Sequence, residues 1–162
     1  MAKSRGKSLF SLSTLLASFF GAAMIAAAFA YFNYKFSEYK FIDFNEWVFY
    51  EKSDVFIPSA DKYIVVFYSS KERDTANRLA TIDLNLPILA IDYYNKAFKN
   101  SKNTTFLRSG TKNSLSFIQR FNIYESPSIF FIKKTKDTLY KQDSMIRKLD
   151  NLEKLSKEIE SL

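Results

Sequence analysis

The 162-residue chain is long enough for one domain and an appendage. It has neither Cys nor His, which excludes a disulfide framework, a thiolate nucleophile, a Cys/His zinc site and a histidine general base. Of the formal charge of +7, Lys3, Arg5 and Lys7 precede the first apolar run, and the +4 that remains sits on scattered lysines that read as solvated surface, so nucleic acid is not an expected partner.

From Ser8 to Tyr34 there is no charged residue. The apolar part, Leu9 to Phe32, spans a hydrocarbon core of ~30 Å at ~1.5 Å per residue, with some tilt. Tyr31, Tyr34 and Phe36 stand where an interfacial aromatic belt lies, and charge returns at Lys35. Residues 8–34 are therefore predicted to be a single transmembrane helix acting as signal anchor. Residues 1–7 form a basic cytoplasmic tail, and the remainder is exported. Ala28-Phe29-Ala30 has the small-x-small form of a signal-peptidase site, which leaves a cleaved leader as the competing reading. The length of the apolar run and the unbroken aromatic stretch after it argue for retention. The abundance of Lys, Asn, Phe, Ile and Tyr reflects an AT-rich bacterial genome, a statement about codons; with the basic N-terminus inside, the expected setting is a bacterial inner membrane with the C-terminal domain in the periplasm.

Residues 35–59 are a charged, aromatic juxtamembrane connector. The spacing of Phe41, Phe44, Trp47 and Val48 predicts a short helix capped by Asp43 or Asn45. It supplies either the first elements of the domain or a helical stalk; the cost of leaving so many aromatics in water points to the first. Lys62 to Tyr68 (KYIVVFY) is the clearest strand, apolar enough to be buried on both faces. A polar turn, Ser69 to Thr75, then leads into a helix carrying Ala76, Leu79, Ala80 and Ile82. Ser69 or Ser70 is its expected cap, with Glu72 and Asp74 in the first turn offsetting the dipole. Read as a general acid/base pair, those two carboxylates need a pocket.

Leu86 to Asp92 is the next strand, with Asp92 at its end. Residues 99–113 read as an inserted surface loop holding a strand-like Thr104–Leu107. The sequon Asn103-Thr104-Thr105 is a chance match in a bacterial chain. Asn113 or Ser114 caps a helix, Leu115 to Phe121, whose apolar face is Phe117, Ile118, Phe121 and Ile123. Pro127 cannot donate to a ladder, so it stands at the mouth of the strand Ile129–Lys133. A turn at residues 134–137 and a return strand, Thr138 to Gln142, follow. Asp143 or Ser144 is expected to cap a last helix, with Ile146, Leu149, Leu152, Leu155, Ile159 and Leu162 packed on the sheet.

This order of elements resembles the thioredoxin superfamily. The carriers are the buried strand KYIVVFY with its polar turn and helix, and the step FNIYESPSIFFI, a helix end, turn, proline and buried strand. The resemblance covers Lys62 to Leu162, or from Phe41 if the connector supplies the first elements. It implies an α/β fold over residues 60–162, a thioredoxin-like central mixed sheet flanked by helices, preceded here by the transmembrane helix. It also implies a cis peptide at Ser126-Pro127, in a loop facing the family's active site. The family's Cys-x-x-Cys would fall on Glu72 and Thr75, and without thiols there is no thiol–disulfide exchange. What the resemblance still implies is a groove that takes extended polypeptide through main-chain hydrogen bonds. Ser69, Ser70, Lys71, Glu72, Ser126, Pro127 and Ser128 would line it.

The expected function is that of a redox-inactive, non-catalytic scaffold, a protein-binding component of an envelope assembly such as a flagellar motor or secretion apparatus. Its partners are other envelope or membrane proteins. No cofactor or metal is expected, and the oligomeric state is left open. A periplasmic chaperone binding extended client segments is the alternative, and a carboxylate enzyme using Glu72 and Asp74 is the third reading.

Overall fold

In a computed structural model, residues 11–38, 40–72, 74–149 and 159 are described. The chain divides after Glu38 into two units.

The first unit is helix α1, Leu12–Glu38. The hydroxyl of Ser11 accepts the N–H of Thr14 at 3.2 Å and caps it. Ser18, inside the apolar run, donates back to the carbonyl of Thr14 at 2.9 Å, which satisfies a hydroxyl that hydrocarbon would leave unpaired. Leu12–Tyr34 is 23 residues long and apolar enough to cross a membrane. Phe19, Phe20, Met24, Ile25 and Phe29 are each more than half exposed. Residues 8–10 of the expected span lie outside the described residues.

The second unit is a mixed sheet with helices on its faces. Its strands are β1 (Phe41–Asp43), β2 (Tyr50–Glu51), β3 (Asp54–Val55), β4 (Lys62–Tyr68), β5 (Ile88–Asp92), β6 (Thr104–Arg108), β7 (Ser128–Lys136), β8 (Leu139–Gln142) and β9 (Arg147–Lys148). Helix α2 is Thr75–Thr81 and α3 is Thr111–Phe121. Across the sheet the order is β1-β8-β7-β4-β5-β6-β2-β3, with β9 also on β7. β4, β5 and β6 are mutually parallel, whereas β7 is antiparallel to β4 and to β8. β4 and β7 are the centre because their apolar runs have no polar face to give to water. Tyr63, Val65 and Phe67 feed an aromatic layer with Phe44, Phe49, Phe117 and Phe130. Ile64, Val66 and Tyr68 feed the other layer with Leu79, Phe106, Ile129 and Phe131.

Four local expectations are corrected. Phe41 to Val48 is not a helix: Phe41–Asp43 is a strand and a turn follows, in which Asp43 accepts the backbone N–H of Asn45 on its carboxylate and those of Glu46 and Trp47 on its carbonyl. Residues 99–113 are not a surface loop, since β6 lies between β5 and β2 with Phe106 and Leu107 buried. α3 begins at Thr111 after Gly110, with no capping side chain. Asn113 instead donates to the carbonyl of Val48 at 3.1 Å, and Ser114 is buried against Ser109 at 2.9 Å. Finally, no helix begins at Asp143 or Ser144. The Ser144 hydroxyl accepts the N–H of Phe131 at 2.8 Å, and the chain re-enters the sheet as β9. Two extra residues are absorbed between β8 and β9, because Ile132 pairs with Gln142 but Ile129 pairs with Arg147. Leu152, Leu155 and Leu162 lie outside the described residues.

Candidate functional site

The site is built at the C-terminal end of β4. Ladder register pairs Phe67 with Ser128 and Tyr68 with Asp92, so the chain leaving β4 emerges between the end of β5 and the loop entering β7. α3 ends at Asn122 in a left-handed conformation (φ 51°), with the N–H of Ile123 returned to the carbonyl of Ile118 at 3.0 Å. That stop delivers the chain to Ser126-Pro127, whose peptide is cis.

Asp92 organises the other side. It is 1% exposed, and its carboxylate accepts the N–H of Ser70 and the N–H of Lys96, both at 2.8 Å. A buried carboxylate needs such donors, and these two fix the bend after β4 against the turn after β5. Sequence reading placed Asp92 at a strand end but gave it no such task. Within the bend, the Ser69 hydroxyl accepts the N–H of Lys71 at 3.3 Å and its carbonyl accepts that of Glu72 at 3.1 Å. The Lys71 ammonium lies 4.1 Å from the ring centre of Tyr94.

The expected capping scheme fails here. α2 starts only at Thr75, and its N-cap residue Asp74 is left-handed (φ 61°) with no capping side-chain bond. Neither Glu72 nor Asp74 is in the first turn. Both are solvent-exposed on a shallow depression of about 290 Å³ shared with Ser70, Lys96 and Phe98. Open water is a poor setting for a general acid/base pair. Of the expected groove residues, Lys71 and Glu72 are exposed, while Ser69, Ser70, Ser126 and Pro127 are half-buried. Ser128 is 2% exposed and donates to the carbonyl of Glu125, which removes its side chain from any open groove.

Three buried hydroxyls at this end make no hydrogen bond to described groups: Tyr68, Ser70 and Ser126. Burial, with the nearby Asp92 carboxylate adding to it, pushes the Tyr68 phenol well above its usual range. The phenol stays neutral at any physiological pH, a donor without an acceptor. Three further features were missed. Tyr93 and Tyr94 are partly exposed and in edge contact at 4.9 Å. Tyr124, two residues before Ser126, is 88% exposed. The N–H of Leu149 donates to the carbonyl of Pro127 at 2.8 Å, so the chain's own C-terminal segment takes that acceptor. The tyrosine pair was readable as apolar surface following an acidic strand end; the Leu149 bond had no signal in sequence. Among the described residues no group of three or more acidic side chains could hold a metal ion.

No protein-family model matches the chain, and no curated protein does. Among solved structures it is similar to a thioredoxin-like protein from Aeropyrum pernix, at a TM-score of 0.45 and 12% identity, over 87% of this chain and 99% of that one. The chain's own topology carries the description of the fold. A parallel strand–helix–strand unit joins an antiparallel hairpin whose first strand follows a cis-proline, and that is a thioredoxin-like mixed sheet in which no cysteine occurs.

Proposed function

We propose that this chain is a redox-inert protein-binding module, anchored in a bacterial inner membrane by residues 8–34, whose periplasmic domain serves as a scaffold component of an envelope assembly such as a flagellar motor or secretion apparatus. The observation that carries the reading is the Ser126-Pro127 loop entering β7 at the end of β4, where Phe67 pairs with Ser128, in a chain that has no thiol. Extended polypeptide can be held at such a loop by hydrogen bonds alone. The exposed Lys71 and Glu72 and the exposed Tyr94 and Tyr124 rings supply polar and aromatic contacts there. Anchoring raises the effective concentration of the module at the membrane.

The alternative, a chaperone for extended clients, is favoured by the same exposed tyrosines, which suit many partners. A photo-crosslinking amino acid placed at Tyr94 and at Tyr124 in living cells separates the two. The scaffold reading expects one discrete adduct at fixed stoichiometry, and none from Ile57, which is 75% exposed two residues past β3. A smear of substoichiometric adducts assigns the chain to the chaperone class. Adducts at Ile57 with none at Tyr94 or Tyr124 would remove the cis-proline end from the binding surface.

A further inference from the structure

The lysines that look scattered in the sequence are brought into register by the sheet. Phe41 pairs with Lys141, Lys141 with Lys133, and Lys133 with Lys62. Direct partners in antiparallel strands share a face, so these four side chains form one row across β1, β8, β7 and β4, with strands ~5 Å apart. Lys133 and Lys141 are exposed, and neither has a carboxylate partner among the described residues. Lys141 rests over the ring of Phe41 at 5.6 Å. Lys62 bonds Asp143 at 2.8 Å. The Asp143 carboxyl is held below its usual range first by that hydrogen bond, and then, against the opposing effect of burial, by the charges of Lys62, Lys133 and Lys141. Asp143 is thus paired with Lys62, beside which the register sets Lys133 and then Lys141. Like charges placed side by side across strands repel, so the row gains from an external anion.

A second observation says which anion. The apolar span ends at Tyr34 and β1 begins at Phe41. α1 continues past the span to Glu38, so only a short stretch of chain tethers β1 to it. Half-buried Phe41 adds to the row an aromatic ring of the kind that settles at headgroup level.

We infer that the row Phe41, Lys141, Lys133 and Lys62 seats the domain on the headgroups of anionic phospholipid. This rests on the reading that residues 12–34 cross a membrane.

The test uses the full chain in lipid nanodiscs of phosphatidylcholine alone, or of phosphatidylcholine mixed with phosphatidylglycerol. Limited amine acylation is read lysine by lysine by mass spectrometry. Labelling of Lys133 and Lys141 is expected to fall roughly threefold or more in the anionic discs and to recover in high salt. Lys112, just past the end of β6 and so at the cis-proline end, should not change. In the double variant Lys133→Glu/Lys141→Glu, Lys62 should label equally in both lipids. Equal labelling of Lys133 and Lys141 in the two compositions overturns the seat while leaving the anchor intact. A chain that enters neither disc overturns the anchor and the seat with it. Protection that arises in phosphatidylcholine discs only when cell extract is added gives the row to an acidic protein and overturns the lipid assignment.

Discussion

The β4–β7 pair has two ends, and they solve opposite problems. At one end Phe67 faces Ser128; at the other Lys62 faces Lys133. The first end closes over its polar groups. Asp92 is buried and fully engaged, the carbonyl of Pro127 is taken by Leu149, and the Tyr68 hydroxyl is enclosed without an acceptor. The second end opens its charges to water, with one exposed ion pair among three lysines. In a low-dielectric setting each polar group is expensive if mishandled, whereas in water the same groups are nearly neutral to stability. Substitutions should therefore be costly at the cis-proline end and mild at the lysine end.

The largest effect is expected at Asp92. Asp92→Ala leaves the N–H groups of Ser70 and Lys96 without their charged acceptor, at about 1–3 kcal/mol each if neither recruits water. Chemical denaturation should show a loss of about 2–4 kcal/mol. A loss below about 0.5 kcal/mol would mean that this end is as wet as the other and the contrast is false.

Next is Ser144, which lies between β8 and β9 and bonds to Phe131 of β7, between the two ends. Its hydroxyl stands in for a strand carbonyl where two extra residues are absorbed. Ser144→Ala should cost about 1 kcal/mol, and hydrogen exchange at the Phe131 amide should speed up. Unchanged exchange at Phe131 would show that another acceptor closes the ladder.

Tyr68→Phe sharpens the comparison by its sign. The phenol is fully buried and makes no hydrogen bond to described groups, so the substitution removes an unpaid desolvation cost and keeps the ring packing against Phe98 and Phe106. Stability should hold or rise by up to about 1 kcal/mol. A fall of that size would reveal an acceptor for the hydroxyl, and so a polar network at this end.

The two ends were unequally legible. KYIVVFY and IFFI declare the central strands because an unbroken apolar run needs cover on both faces, and the proline step came from resemblance. Where tertiary pairing overrode local pattern, reading failed. Phe41, Phe44 and Trp47 have helical spacing, yet Asp43 turns the chain with its own side chain and Ile42 pairs with Tyr140, almost a hundred residues on. Ile146 and Leu149 are three apart as in a helix, but the free N–H of Phe131 drew Ser144 back to the sheet. Thr104 to Leu107 looks strand-like in sequence and is a strand, but its place inside the sheet was hidden because its partners, β5 and β2, are remote. The lysine row has no sequence signal at all. Lys62, Lys133 and Lys141 become neighbours only through register, just as the isolation of the Tyr68 hydroxyl follows only from what surrounds it.

The smallest effect belongs to the lysine end, and there pH is the probe. The folded-state pKa of Asp143 lies below its ordinary value of 3.8, chiefly through the hydrogen bond from Lys62. A depressed carboxyl contributes stability that is fully present above the unfolded value and is lost as pH falls through the folded one. With side chains 39% and 34% exposed, water screens the pair, and Asp143→Asn should cost no more than about 0.5 kcal/mol near neutrality. As pH falls through the folded-state value the Asp143 carboxyl becomes neutral like the Asn it is compared with, so the difference should shrink with acidification; denaturation midpoints followed from neutrality into the acid range measure it. A cost above about 1 kcal/mol near neutrality would mean that the lysine end is not an open, solvated surface. Its charges would then be committed inside the fold, as those of Asp92 are, with little left over for a bilayer.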